Sequence, residues 1–246
     1  MRAHLVASGK YHDIDFARLE LLKLLAEDAR IRTTVSTDYA DLAALAGAEL
    51  LITYTCDVVP DPSQTAALEA FLRRGGRWFA LHGTNSLLRF GADGICDTPD
   101  EAPAFMDLVG TQFAAHPPIA PFKVEITRPD HPFTAGLRGF RIEDELYLTR
   151  RRGDIEVLLH TAFTGSCPEF RDADWDEAEV PVLYERRIGE GAILYLTLGH
   201  CRGHYDLQPV APFWPHPQRC GWNYPVFYEL LRRGIRWGLA ASGSEA

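Results

Sequence analysis

Nine histidines run through this 246-residue chain, and three of them stand where an apolar strand pattern stops. His12 lies in Ser8-Gly9-Lys10-Tyr11-His12-Asp13, the loop after Ala3–Ala7. His82 directly follows Arg77–Leu81, and His200 follows Ala192–Thr197 within Leu198-Gly199-His200-Cys201-Arg202-Gly203-His204. Imidazole is a metal ligand when neutral and an acid or base near pH 7. Glycines beside His82 and His200 permit tight turns that present such a side chain. Each histidine taken singly reads as a satisfied loop residue; the recurrence at strand ends is what points to chemistry. His116, His131 and His216, each before a proline, carry a weaker local signal.

The carboxylates of Glu143-Asp144-Glu145 fall inside an apparent strand, Phe140–Thr149. Period two places Phe140, Ile142, Asp144, Leu146 and Leu148 on one face and Glu143, Glu145 and Tyr147 on the other. A carboxylate on an apolar face is costly unless bonded, so Asp144 is expected to be hydrogen-bonded or to have a raised pKa. His200 and His204 are four apart, but Gly203 favours a loop over a shared helical face. The chain has no GxGxxG, GxxxxGK[ST], GxSxG or HExxH. Cys56, Cys201 or Ser86 could serve a hydrolase as nucleophile, though Cys201 and His200, being adjacent, point apart.

The elements that must position these groups change character along the chain. Strand Ala3–Ala7, helix Ile14–Arg30, strand Ile31–Ser36, helix Tyr39–Leu45, strand Leu50–Tyr54, helix Pro62–Arg74 and strand Arg77–Leu81 alternate. Such alternation specifies a doubly wound α/β sheet, whose ligands bind outside the carboxyl ends of the strands. Phe122–Thr127, Phe140–Thr149, Ile155–Thr161, Val180–Arg187 and Ala192–Thr197 then follow as strands without helices between them. Ile119–Pro121 and Arg128–Gly136 read as loops, Arg150–Arg152 as a solvated hairpin turn, and Tyr224–Leu239 as an amphipathic helix. With no repeat or linker, residues 1–246 read as one domain.

Composition removes several function classes. Asp and Glu number 34 against 25 Lys and Arg, a formal charge of −9, so nucleic acid and anionic membrane are not expected partners. No apolar run reaches the roughly 18 residues of a membrane span, and no signal peptide is visible. Five cysteines without C-x-x-C spacing suit reduced thiols in a cytoplasm.

Seven blocks in chain order resemble the motifs of the ThuA-like (trehalose utilisation) family. They are Gly75-Gly76-Arg77-Trp78-Phe79-Ala80-Leu81-His82-Gly83-Thr84, Gly110-Thr111-Gln112-Phe113-Ala114-Ala115-His116-Pro117 and His131-Pro132-Phe133-Thr134-Ala135-Gly136-Leu137. Asp144-Glu145-Leu146-Tyr147, Pro181-Val182-Leu183-Tyr184 with Gly189-Glu190-Gly191, Leu198-Gly199-His200 and Arg233-Gly234-Ile235-Arg236-Trp237 complete the series. The resemblance implies a class I glutamine amidotransferase-like fold: α/β, flavodoxin-like, three-layered and doubly wound, with a mainly parallel sheet and an antiparallel β extension. Amidotransferases of that fold carry a cysteine nucleophile on the turn after the central strand. His82 stands there instead, so glutaminase activity is not expected.

The resemblance also implies carbohydrate metabolism, with trehalose or oxidised keto-glycosides as context. An enzyme that cleaves or isomerises a sugar would then use His82, Glu145, His200 and Tyr147 as catalytic groups. His12, Asn85, His116, Asp144, His204 and Trp222 would bind substrate. His82, His116 and His200 would hold one divalent metal, zinc or manganese; a metal-free His/Glu acid–base pair is the other mechanism considered. Trp214, Trp222, Tyr205 and Tyr224 could form a sugar-stacking wall. The competing reading is a non-catalytic sugar- or partner-binding module that kept the cleft, and the sequence leaves room for a homo-oligomer.

Overall fold

Asp13, Asp41 and Asp61 start the first three helices, each carboxylate accepting a backbone N–H three residues on; Asp61 and Gln64 form a full capping box. The computed structural model describes residues 1–240, and residues 241–246 of the expected domain lie outside the described residues. The first half alternates β1 (Arg2–Gly9), α1 (Ile14–Leu25), β2 (Arg32–Ser36), α2 (Leu42–Gly47), β3 (Leu50–Cys56), α3 (Pro62–Arg73) and β4 (Arg77–Leu81). A small pair, β5 (Arg89–Phe90) and β6 (Cys96–Asp97), precedes α4 (Pro103–Val109). Strands β7 (Thr111–Ala115), β8 (Ala120–Ile126), β9 (Phe140–Asp144), β10 (Leu148–Arg151), β11 (Glu156–Ser166), β12 (Asp174–Ile188) and β13 (Gly191–Leu196) follow, then α5 (Pro225–Ala240).

Nine strands make one sheet in the order β2-β1-β3-β4-β13-β12-β11-β8-β9. Its first five strands are parallel, with β13 returning beside β4, and the last four continue antiparallel. Apolar side chains cover both faces. Phe79, Leu81, Leu194 and Leu196 pack with α1 and α5 on one side; Trp78, Ala80, Ile193 and Tyr195 pack with α3 and α4 on the other. This is the three-layer, doubly wound sheet with an antiparallel extension that the sequence called for. Among the described residues no helix is long and apolar enough to cross a membrane.

Several boundaries differ for identifiable reasons. Helix α1 stops at Leu25 rather than Arg30, because Asp28 accepts both the Arg30 N–H and its guanidinium, a local turn that competes with helix. Ala120 and Pro121, expected in a loop, belong to β8, where Pro121 opposes only Glu143 of β9 and so costs no second ladder bond. Arg150 and Arg151 lie in β10, not in a hairpin turn; Arg150 binds Asp172 and Thr98, and Arg151 binds Glu179. The most consequential difference is that Phe140–Thr149 is two strands. β9 ends where the Asp144 carboxylate takes the Glu145 N–H, and β10 restarts at Leu148 to pair with β7, a strand the sequence pattern did not announce. That break turns Glu145 out of the sheet and toward the histidines.

Candidate metal centre

His82 sits at the carboxyl end of β4 with φ 43°, in the left-handed region, and opens a single 3-10 turn to Asn85. A non-glycine residue held there costs of order 1–3 kcal/mol and persists only where its surroundings fix it. They do: a Cβ on Gly83 would lie 2.6 Å from the Thr55 carbonyl, so the chain can pass close against β3 only as glycine. The Tyr195 hydroxyl spans the turn, donating to the His82 carbonyl and accepting the Asn85 N–H at 3.0 Å. The His82 ring packs 4.3 Å from Tyr147 and stacks at 6.3 Å on Tyr54.

Hydrogen bonding assigns one nitrogen of each ring. His82 Nδ1 donates to Thr197 O at 2.8 Å, and His12 Nδ1 donates to Lys10 O at 2.9 Å, since a carbonyl can only accept. His200 Nε2 donates to Gln218 Oε1 at 2.9 Å, an oxygen that also takes Arg202 Nη1 at 3.2 Å. Three lone pairs therefore remain, on His82 Nε2, His12 Nε2 and His200 Nδ1, and all three point inward.

The two Nε2 atoms are 3.0 Å apart. Glu145 Oε2 lies 3.5 Å from His82 Nε2 and 3.3 Å from His200 Nδ1, which has no hydrogen-bond partner among the described residues. All four donor atoms fall within 4.8 Å of one another, and none of the four residues is more than 5% exposed. Burial, then the neighbouring His82 and His200 rings, hold His12 well below its usual pKa, so the ring is neutral. Burial alone would raise Glu145; positive charge on the His116 and His200 imidazoles, or hydrogen bonds from His200 and His82, would outweigh it and hold the carboxyl well below its usual range.

Facing lone pairs at such distances repel unless a proton or cation lies between them. A metal 2.0–2.1 Å from four tetrahedral ligands would set those ligands about 3.3 Å apart, close to the 3.0, 3.3 and 3.5 Å separations above within a group that spans up to 4.8 Å. Carbonyl and amide oxygens on the far nitrogens are the usual supporting shell of ligating histidines. The donor set fits a divalent transition metal.

The residues singled out from sequence divide sharply. His12, expected to touch substrate, stands with His82 and His200; His116, expected as a ligand, does not. His116 Nε2 instead meets the other Glu145 oxygen, Oε1, at 3.3 Å, and its ring is 26% exposed between Phe113 and Phe170. Asp144 is corrected from a substrate group to a strut. Its two oxygens accept the N–H groups of Glu145, Gly199, His200 and Gly221 at 2.8–3.1 Å, while burial still pushes its pKa up.

Asn85 is also internal: fully buried, its Nδ2 donates to Thr111. Trp222 is core rather than sugar wall, its Nε1 donating to Gly199 O and its ring packed on Tyr54, Phe16 and Phe227. His204 points away, exposed and stacked on Phe213. Tyr147 lines the wall behind His82, its hydroxyl accepting from Ser86. Sequence reasoning missed Gln218 and Arg202, whose only sequence signal is their position in the loop after His200.

The thiol reading finds no support in this geometry. All five cysteines are buried. Burial pushes Cys96 up to about 11 and Cys201 up to about 12, and the hydrogen-bond partners of Cys201 Sγ are Tyr54 Oη and Asp13 O, not an imidazole. Ser86 likewise bonds Tyr147, not an imidazole. Ellman's reagent at pH 8 should release less than one equivalent of thiol from the native protein and all five after denaturation. Rapid native reaction at Cys56 or Cys201 would reopen that reading.

A doubly wound sheet with a strained turn at the end of a central strand is a flavodoxin-like fold, here with histidine on that turn. The chain belongs to the ThuA family, described as trehalose utilisation, whose model matches residues 4–212. It resembles a ThuA-like protein from Bacteroides uniformis at TM-score 0.66 and 19% identity, over 97% of this chain and 91% of that one. A ThuA-like protein from Parabacteroides merdae superposes at TM-score 0.64 and 15% identity, over 100% and 92%. A candidate GMP synthase protein from Thermoplasma acidophilum gives TM-score 0.51 and 12% identity, over 98% and 96%. No curated protein matches the chain.

Proposed function

We propose that this protein is a metal-assisted carbohydrate enzyme that cleaves or isomerises a sugar, with a keto-glycoside as the substrate class. The observation that carries the reading is the convergence of three imidazole lone pairs and one carboxylate oxygen within 4.8 Å, every far ring nitrogen being bonded to an oxygen. His12, His82, His200 and Glu145 would hold the ion, zinc or manganese. When bound, it supplies Lewis acidity toward a carbonyl or hydroxyl oxygen.

The chain's own residues supply the rest. His116 is the one member of the cluster with substantial solvent access. Its Nε2, set against Glu145 Oε1, is placed to take a proton from a carbon beside the ketone or from water, and Glu145 steadies the charge that results. The family's trehalose-utilisation description supports the carbohydrate class.

The test is metal analysis and turnover on the same purified protein. One equivalent of zinc or manganese, with keto-glycoside turnover lost on chelation and regained with the ion, is the expected result. Stoichiometric metal without turnover of any keto-glycoside would favour the passive sugar- or partner-binding module. Turnover that survives full metal removal would leave the metal-free His/Glu pair as the mechanism.

A further inference from the structure

At the opposite end of β4 from His82, Arg77 borders an open cavity of about 670 Å³ together with the second half of α5 and residues 132–135. We propose that this cavity binds the phosphate group of a small metabolite.

Strand pairing carries the first part of the argument. Arg77 of β4, Ala192 of β13 and Arg187 of β12 lie side by side in register. Two arginines thus flank a residue with only a methyl group, their Cα atoms about 10 Å apart over two strand spacings. Phe79, two residues on from Arg77, packs against Gly234 of α5, so this row faces α5. The helix adds Arg233 and Arg236, and Trp237 lies under the Arg77 guanidinium at 5.4 Å.

Charge carries the second part. Glu229 pairs with Arg233 at 2.7 Å and with Arg236 at 3.4 Å; Glu185 pairs with Arg187 at 3.1 Å and faces His131 at 3.6 Å. Of the residues lining the cavity, Arg77, Arg233 and Arg236 thus meet one carboxylate, Glu229, a local excess of about two positive charges in a chain of net charge −9. Arg233 Nη1 is committed to the carbonyls of Phe133 and Ala135 and fixes the wall. The Arg77 guanidinium has no hydrogen bond or ion pair among the described residues, and its Nε is buried. A buried donor without a partner is costly, and a guanidinium fork matches phosphate oxygens two at a time. A phosphate carries about −1.5 to −2 at neutral pH, which balances that excess where a carboxylate would leave half of it. Phe133, Pro132 and Trp237 offer an apolar wall for the organic part of the ligand.

The test is thermal unfolding of chelator-treated protein across 0–50 mM inorganic phosphate, with sodium chloride holding ionic strength constant. Saturable stabilisation is expected, since a ligand that binds only the native state raises Tm with its concentration over Kd. Arg77→Gln should weaken the apparent affinity at least tenfold, and the exposed Arg236→Gln should weaken it as well while unfolding at the wild-type temperature without phosphate. A response that stays linear in phosphate, or is unchanged in both variants, overturns the proposal.

Discussion

Purified His82→Ala protein should contain less than about a tenth of an equivalent of zinc or manganese, whereas His116→Ala should keep the full equivalent. The two histidines touch opposite oxygens of Glu145, so they separate the roles cleanly. His82 contributes a lone pair to the donor group, and its removal leaves three ligands around a cavity that the other rings cannot close. Supporting-shell losses already cost roughly 10–100-fold in metal affinity, and loss of a ligand exceeds that. His116 contributes none of the four converging atoms. Its removal takes away a proton acceptor, worth about 10²–10⁴ in rate. Atomic absorption on both variants, beside turnover, reads the two effects independently. Full metal in His82→Ala, or loss of metal in His116→Ala, would sink the assignment of donors.

Asp144→Ala should cost roughly 3–5 kcal/mol of stability, the scale of leaving buried partners uncompensated. For a chain of this size that lowers Tm by about 10–15 °C. The magnitude follows from four backbone N–H groups, from Glu145, Gly199, His200 and Gly221, that lose a shared acceptor in a buried part of the molecule. Because two of those groups belong to donor residues, metal affinity should fall alongside stability. Urea titrations with and without zinc would read both. A variant as stable as wild type would show that other contacts hold the loop.

The alternating half of the fold was plain from sequence because β1, β3 and β4 are largely apolar, β2 is rich in β-branched residues, and apolar residues recur at helical spacing between them. Strand ends named His12, His82 and His200 directly. The motif resemblance then promoted His116 into the ligand set in place of His12, whereas the geometry groups His12 with His82 and His200. Glu145 was found for an incomplete reason. Period-two counting treated Phe140–Thr149 as continuous, and the break depends on N–H groups more than fifty residues away, which no local pattern contains. The interior places of Asn85 and Trp222 were hidden for the same reason: their partners, Thr111 and Gly199, are distant in sequence. Helix α4 was legible and overlooked, with Pro103 at its start and Gly110 left-handed at its end.

The four donors come from residues 12, 82, 145 and 200, and Gln218 must arrive before His200 is oriented. No contiguous stretch much shorter than the chain contains them all. If the group holds an ion as proposed, the donor set and its support would be complete only once the chain past Gln218 has emerged, so a chain stopped short of that point would not retain it. Metal content would then report completed folding, coming at its end rather than as a scaffold laid down at its beginning.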